Sequence, residues 1–351
     1  MPTYKMKYGY PILIILSLAA WISIACGGTP VPPTNNSADD TPLQSSSNDA
    51  TFTVMSYNVL HPRADAAGSE HNWDLRKQPI VDLIKTRQAD IILLQEVMVE
   101  NGLDTAAWMR QALTATDMPI RYAVVGGSGT DPKDIFVNID KFDIVFPARN
   151  SLENAFDLYG ALPISNTNKE DTIHNSAYLP PDPLTICLSA INRPTPPPQR
   201  KTASWAHLRH KSTGREIVVS NLHLHWKHES RSDNTVRIEQ LRCVSSLLNQ
   251  RFPDLPKIVG GDFNAELASE ELNLFQGGFG HEDRRFISAA TDMAMAQGTW
   301  NGFCETCTPA LKIDHLFVQN LETETPTAAI HSKPNNQWPS DHCPIIATFR
   351  L

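Results

Sequence analysis

The sequence predicts an α/β fold, a sandwich of mixed sheets and helices running from residue 51 to the C-terminus. Three observations predict it. Short, wholly apolar runs have the length of strands buried on both faces. Other segments alternate apolar and polar residues with period two. Two longer stretches repeat their apolar residues at helical spacing. Apolar residues make up 41% of the 351-residue chain and charged residues 19%, enough for a substantial core and too apolar for global disorder.

Thr51–Leu60 (TFTVMSYNVL) opens with alternating β-branched and aromatic residues, a strand signal. Trp73–Gln88 places Leu75, Pro79, Ile80, Leu83 and Ile84 on one helical face behind polar starters. Ile91–Leu94 (IILL) is a buried strand, and Ile135–Ile144 alternates as one further strand. Ser204–Leu208 and Glu216–Leu224 form a hairpin about Ser212-Thr213-Gly214. Thr235–Gln250 is helical in pattern; Pro256–Gly261 and Ile313–Gln319 are buried strands; Ile345–Leu351 is the last. Residues 160–200 are rich in Pro, Asn and Thr and read as a long loop or insertion. Hairpin signals among the helices favour mixed over all-parallel sheets.

The first 50 residues differ in kind. Lys5 and Lys7 precede the apolar run Pro11–Ala25 and then Cys26-Gly27-Gly28, the layout of an export signal. The run is short for a membrane span, which needs about 20 residues. The Ala25-Cys26-Gly27 junction resembles a bacterial lipoprotein signal, with Ser23 standing where such signals usually have Leu; plain cleavage nearby and an uncleaved anchor are the alternatives. Residues 27–50 are a polar tether. The division is therefore 1–26 targeting segment, 27–50 tether, 51–351 folded domain. The expected location is outside the cytoplasm, periplasmic or at the cell surface, held to the membrane by a lipid on Cys26 or by the signal itself. The expected oligomeric state is a monomer.

The formal net charge is −8, and the domain stays acidic without the two signal lysines and the tether's Asp39, Asp40 and Asp49. Such a chain has no overall attraction for nucleic acid or anionic lipid, although a local basic cleft or a bound cation remains compatible with it. Six Cys are too few for a disulfide scaffold. Cys304-x-x-Cys307 reads as a small-loop disulfide, with a zinc half-site and a redox pair as alternatives. Cys187, Cys243 and Cys343 form an odd remainder, and Cys343 reads as a buried thiol.

Polar residues at the strand ends carry the chemistry. Asn58 follows the first strand, Gln95-Glu96 follow IILL, His223 and His225 end the hairpin, and Asp262 and Asn264 follow KIVG. Asp314-His315 open the next strand, and Asp341-His342 precede the last. Carboxylates with waters suit Mg²⁺, Mn²⁺ or Ca²⁺, while imidazoles and amides suit a phosphoryl group and its acid–base partner. Alone, an Asp at a turn is most often a cap and a His in an apolar strand a satisfied core residue.

Taken in order, SYN, LQEV, NLHL, GDFN, KIDHLFV and SDHCPI resemble the endonuclease/exonuclease/phosphatase superfamily, from about Phe52 to Leu351. Trp73-Asp74-Leu75-Arg76 and Arg200-Lys201-Thr202-Ala203 fit the same pattern. The resemblance implies a four-layer α/β sandwich of two packed mixed β-sheets flanked by helices. It implies Glu96, Asn58 and Asp341 at the metal, Asp262 orienting or deprotonating water, and Asn264 on that water or a phosphate oxygen. His342 would bind the phosphoryl oxygen or serve as acid–base, with Asp314 fixing its tautomer and His223 on the phosphate. Arg200 would meet the substrate, and Trp226 reads either as lining a substrate groove or as a rim aromatic. His225 and His228 read as core residues, His315 as structural, and Gln95 as a supporting or backbone-bonding residue.

The expected activity is divalent-metal phosphoester hydrolysis by in-line water attack, with a deoxyribonuclease- or apurinic-site-endonuclease-like phosphodiesterase leading and nucleic acid a candidate substrate. A sphingomyelinase-like phospholipid hydrolase or a sugar- or inositol-phosphate hydrolase is the alternative. A catalytically dead binding module is disfavoured because every expected polar position is filled.

Overall fold

The computed structural model describes residues 50–62, 71–100, 103–125, 133–146, 155–157, 160–163, 202–226, 231–291, 298–304, 309 and 311–351. The chain divides into two units, Met1–Ser45 and Ser46–Leu351. The targeting segment, the tether up to residue 49, Arg200, His228 and most of residues 160–200 lie outside the described residues.

In chain order the elements are β1 (Thr51–Asn58), α1 (Trp73–Arg87), β2 (Ile91–Gln95), β3 (Val99–Glu100), β4 (Leu103–Asp104), α2 (Thr105–Leu113), β5 (Tyr122–Val125), β6 (Ile135–Asn138), β7 (Phe142–Phe146), β8 (Ala155–Asp157), β9 (Gly160–Pro163), β10 (Thr202–His210), β11 (Glu216–His223), α3 (Arg231–Arg251), β12 (Lys257–Asp262), α4 (Glu270–Gln276), β13 (Ile287–Ser288), β14 (Asp314–Gln319), β15 (Glu322–Ala329) and β16 (Ile345–Arg350). One sheet runs β15-β16-β1-β2-β6-β5. The other runs β13-β14-β12-β11-β10-β8-β9, with β7 also paired to β10. Each contains one parallel pair: β1 with β2 across α1, and β11 with β12 across α3. This is the expected sandwich of two mixed sheets with helices outside.

Three apolar clusters make the layers. Phe52, Val54, Leu93, Leu208, Val219, Ile258 and Leu316 fill the space between the sheets. Met55, Tyr57, Ile92 and Leu94 face the other way, against Ile80, Ile84 and Met109 of α1 and α2. Val218, Leu222, Val259 and Phe317 pack on Leu241, Val244 and Phe275 of α3 and α4. Alternation along each strand thus feeds two cores at once, which is why the runs read as continuously apolar. Helix α1 starts where Asn72 Oδ1 accepts from Asp74 N (2.8 Å) and stops at Gln88, in the left-handed region.

Two expectations need correction. Ile135–Ile144 is not one strand: the chain leaves the first sheet after Asn138, turns, and joins the second at Phe142, so β6 and β7 belong to different sheets. Residue alternation does not show a change of sheet, because both halves keep period two. Leu75, assigned to the buried face of α1, is 57% exposed, and the buried face uses Trp73 and Arg76 instead.

Candidate active site

Register gathers the polar strand ends. Asn58 pairs with Gln95 in the first sheet, while in the second His223 pairs with Asp262 and Asp262 with Asp314. The parity that turns Phe52 and Val54 inward continues through Ser56 to Asn58. Ile217 and Val219 lead through Asn221 to His223, and Ile258 leads to Asp262. All of these side chains therefore enter one end of the space between the sheets, at the C-terminal ends of both parallel pairs, where ligands bind in open α/β sheets. His315 takes the opposite parity, packs against Phe263 and Phe317, and bonds the Ala265 carbonyl at 2.9 Å.

Two glycines permit the close approach. A Cβ on Gly260 would lie 2.5 Å from Leu93 Cδ1 and 2.6 Å from Leu316 Cδ2. Gly261 has φ +145, and its Cβ would sit 1.9 Å from the Leu222 carbonyl oxygen. Glu96 (φ 62) and Asn264 (φ 48) are left-handed without being glycine, a strain of the kind held at functional sites.

The contacts link the two sheets. Asn58 Nδ2 donates to Glu96 Oε1 and Asp262 Oδ2, both at 3.0 Å, and Asn58 Oδ1 accepts from Leu60 N. His223 Nε2 lies 3.4 Å from Asp262 Oδ2 and 3.9 Å from Glu96 Oε1. His342 Nδ1 meets Asp314 Oδ2 at 2.8 Å, and its Nε2 stands 3.7 Å from Asp262 Oδ2. Asn264 N donates to Asp262 Oδ1 (2.8 Å) and Asn264 Nδ2 to the Leu224 carbonyl (3.2 Å). His61, absent from the sequence-derived set, donates its backbone N–H to Glu96 Oε2 at 2.9 Å.

Burial sets the electrostatics. Asp262 is pushed up to about 7, mainly by desolvation and further by Asp314, against the lowering influence of His342 and of hydrogen bonds from Asn264 and Asn58. Asp341 is raised by burial and by Glu96, with His342 and Arg76 opposing. Burial works against charge on His342, but Asp314, Asp341 and Asp262 outweigh it and hold the imidazolium well above its ordinary range.

Ligand atoms of Glu96, His223 and Asp262 lie within 4.8 Å of one another, as do those of Asp262, Asp314 and His342. Glu96 and Asp262 are both turned toward the single amide nitrogen of Asn58, and Asp314 Oδ1 is buried without a hydrogen-bond partner among the described residues. Converging oxygens of this kind fit a hard divalent cation. Asn58 differs from expectation, since it presents its nitrogen to the carboxylates and its oxygen to the backbone. Asp341 borders the same cleft, of about 1020 Å³, with Trp226 (56% exposed) and Trp300 (41% exposed) beside it. His225 bonds Gln240 Oε1 through its backbone N–H, and Gln95 is buried between the sheets.

The family model described as the Endonuclease/Exonuclease/phosphatase family matches residues 55–342. The chain belongs to that family. Its two-sheet sandwich is the family's fold, and family membership makes it a phosphoric ester hydrolase. The RNA exonuclease NGL1 of Saccharomyces cerevisiae is 25% identical over 86% of this chain and 93% of its own length. The Ccr4 exoribonuclease subunit of the CCR4-Not complex from Kluyveromyces lactis is 22% identical, and the match covers 41% of that protein. Among solved structures, a family member from Bacteroides vulgatus superposes with a TM-score of 0.63 at 18% identity, covering 86% of this chain and 99% of that one. The Bacteroides thetaiotaomicron mannosyl-6-phosphatase Bt3783 superposes at 0.59 with 21% identity, over 86% and 100%.

Sequence reasoning missed His61, Trp300 and Asn301. They sit on segments without periodicity; only the fold brings His61 and Trp300 to the cleft and Asn301 against the loop that carries His342. Asn301 N donates to the Asp341 carbonyl at 2.7 Å and Asn301 Nδ2 to the Ser340 carbonyl at 3.0 Å, bracing the loop that presents His342.

Proposed function

We propose that the protein is an exported, divalent-metal-dependent phosphodiesterase that cleaves its substrate by in-line attack of water on phosphorus. The observation that supports this best is the convergence of Glu96, His223, Asp262 and the Asp314–His342 pair, supplied by both sheets, on one end of a cleft. Glu96 and Asp262 would hold the cation with His223 beside them, Asp341 near it, and Asn58 Nδ2 bridging the two carboxylates. When bound, the metal neutralises charge that develops on the phosphoryl oxygens.

Asp262 would orient and deprotonate the attacking water, with Asn264 against the same water or a phosphate oxygen. Asp314 accepts from His342 Nδ1–H, which leaves Nε2 facing the cleft to bind a phosphoryl oxygen or protonate the leaving group. The exoribonuclease relatives favour a nucleic acid substrate, with RNA ahead of the DNA that the sequence motifs first suggested. A sugar phosphate or other small phosphoester is the second reading, favoured by the exposed Trp226 and Trp300 at the cleft and by the mannosyl-6-phosphatase fold relative. Hydrolysis of oligoribonucleotide, supercoiled DNA, mannose 6-phosphate, inositol phosphate and sphingomyelin with Mg²⁺ and with EDTA tests both. No metal-dependent hydrolysis of any of them would sink the proposal.

Export rests on the N-terminal pattern and on the disulfide-bonded state of Cys243 and Cys304, which fits an oxidising compartment. Lipid labelling that disappears in Cys26→Ala tests the anchor. Residues 1–26 as targeting segment, the monomeric state and the substrate contact of Arg200 belong to the same proposal.

A further inference from the structure

Between the apolar core and the catalytic residues lies a thin polar layer. Ser56, Gln95 and Asn221 are each fully buried, at 0% exposure. Gln95 Nε2 donates to Asn221 Oδ1 at 2.8 Å, from the first sheet to the second, and lies 3.1 Å from both Ser56 Oγ and the Leu93 carbonyl. Asn221 answers in the other direction: its Nδ2 donates to the Leu94 carbonyl at 2.8 Å and the Asp134 carbonyl at 2.9 Å.

We propose that Gln95 and Asn221 are positioning residues, a hydrogen-bonded clamp that sets how Glu96 of one sheet stands against His223 and Asp262 of the other. This inference rests on the metal-phosphoesterase reading and specifies what holds that site together. The site is split between two sheets, and apolar packing between sheets is non-directional, so it does not by itself fix their offset. Directional bonds in a low-dielectric interior do. Gln95 immediately precedes Glu96, whose left-handed backbone (φ 62) turns the carboxylate into the cleft. Asn221 shares an inward face with His223 two residues on, and its amide grips the β2 backbone two residues before Glu96. A shift at the clamp therefore reaches the 3.9 Å approach of His223 Nε2 to Glu96 Oε1 and the 3.0 Å bond of Asn58 Nδ2 to Asp262 Oδ2.

The test compares Gln95→Met and the milder Ser56→Ala with Ile217→Ala, which removes core packing from the same inter-sheet space. The readouts are Mg²⁺ and Mn²⁺ affinity by calorimetry without substrate, kcat and KM on bis(4-nitrophenyl) phosphate, and Tm. Gln95→Met is expected to weaken metal binding and lower kcat by about tenfold each, with KM little changed. Ser56→Ala should shift both in the same direction by about threefold. Ile217→Ala should lower Tm while metal affinity and kcat stay within about twofold of wild type. Gln95→Met and Ser56→Ala proteins that match wild type in metal affinity and kcat overturn the clamp alone. If Gln95→Met does not fold, Ser56→Ala decides. A wild-type protein that binds no divalent metal overturns both the clamp and the functional reading.

Discussion

At Asp314 a single carboxylate decides what His342 can do. By accepting from Nδ1 it fixes which nitrogen faces the cleft, and its charge helps keep the ring protonated against burial. Asp314→Asn should leave the fold intact, since the shape is kept, yet lower kcat by about 10²–10⁴-fold. Matched circular dichroism beside a rate that falls less than tenfold would contradict the assigned role. His315, the next residue, behaves oppositely because it faces the other core. Burial there lowers its pKa to about 4, with the Ala265 carbonyl partly opposing. The unfolded chain takes up this proton near pH 6.5 and the folded chain does not, so stability present at neutral pH is lost as pH falls from 6.5 toward 4. The loss amounts to about 2 kcal/mol by pH 5. Urea unfolding at pH 7.5 and 5.0 should show His315→Gln losing less stability on acidification than wild type; an equal loss would contradict the assignment.

Among the elements, β12 shows how a strand can be specified by what it lacks. Gly260 faces the opposing sheet, and the atoms a methyl would meet are side-chain termini of Leu93 and Leu316 that can give way. Gly260→Ala should cost about 1–3 kcal/mol, the range for overpacking. At Gly261 the obstruction is the Leu222 backbone, so Gly261→Ala should cost more than Gly260→Ala in the same denaturant titration. Strands such as β2, β12 and β14 were legible because they are buried on both faces and composed accordingly. The polar edge strand β15 (ETETPTAA) was not, since one neighbour and an exposed flank leave no apolar pattern to detect. The seven-residue α4 was too short to establish a period. The site divides in the same way. Residues at strand ends, such as Glu96, Asp262 and His342, announced themselves as polar groups attached to apolar runs, whereas His61 and Trp300 reach the cleft only through tertiary packing.

Across the whole molecule, the acidic charge is organised by the fold. Glu96, Asp262 and Asp341, distant in sequence, are drawn into one cleft from both sheets, with Asp314 buried behind His342, which turns a net charge of −8 into a local seat for a cation. The disulfides at Cys243 and Cys304 complement a core that still contains a free, buried thiol at Cys343. Disulfide reduction should therefore lower stability by about 2–4 kcal/mol per bond without touching Cys343. Thermal melts with and without dithiothreitol measure this, and unchanged melts would show that the bonds do not stabilise the domain. The most direct test of the central claim is hydrolysis of an oligoribonucleotide and of bis(4-nitrophenyl) phosphate by wild-type protein and Asp262→Ala, each with Mg²⁺ and with EDTA. Wild type is expected to turn over with Mg²⁺ alone, with activity abolished by EDTA and reduced at least about 10³-fold in Asp262→Ala. Turnover that survives EDTA, or an Asp262→Ala protein as active as wild type, would contradict it.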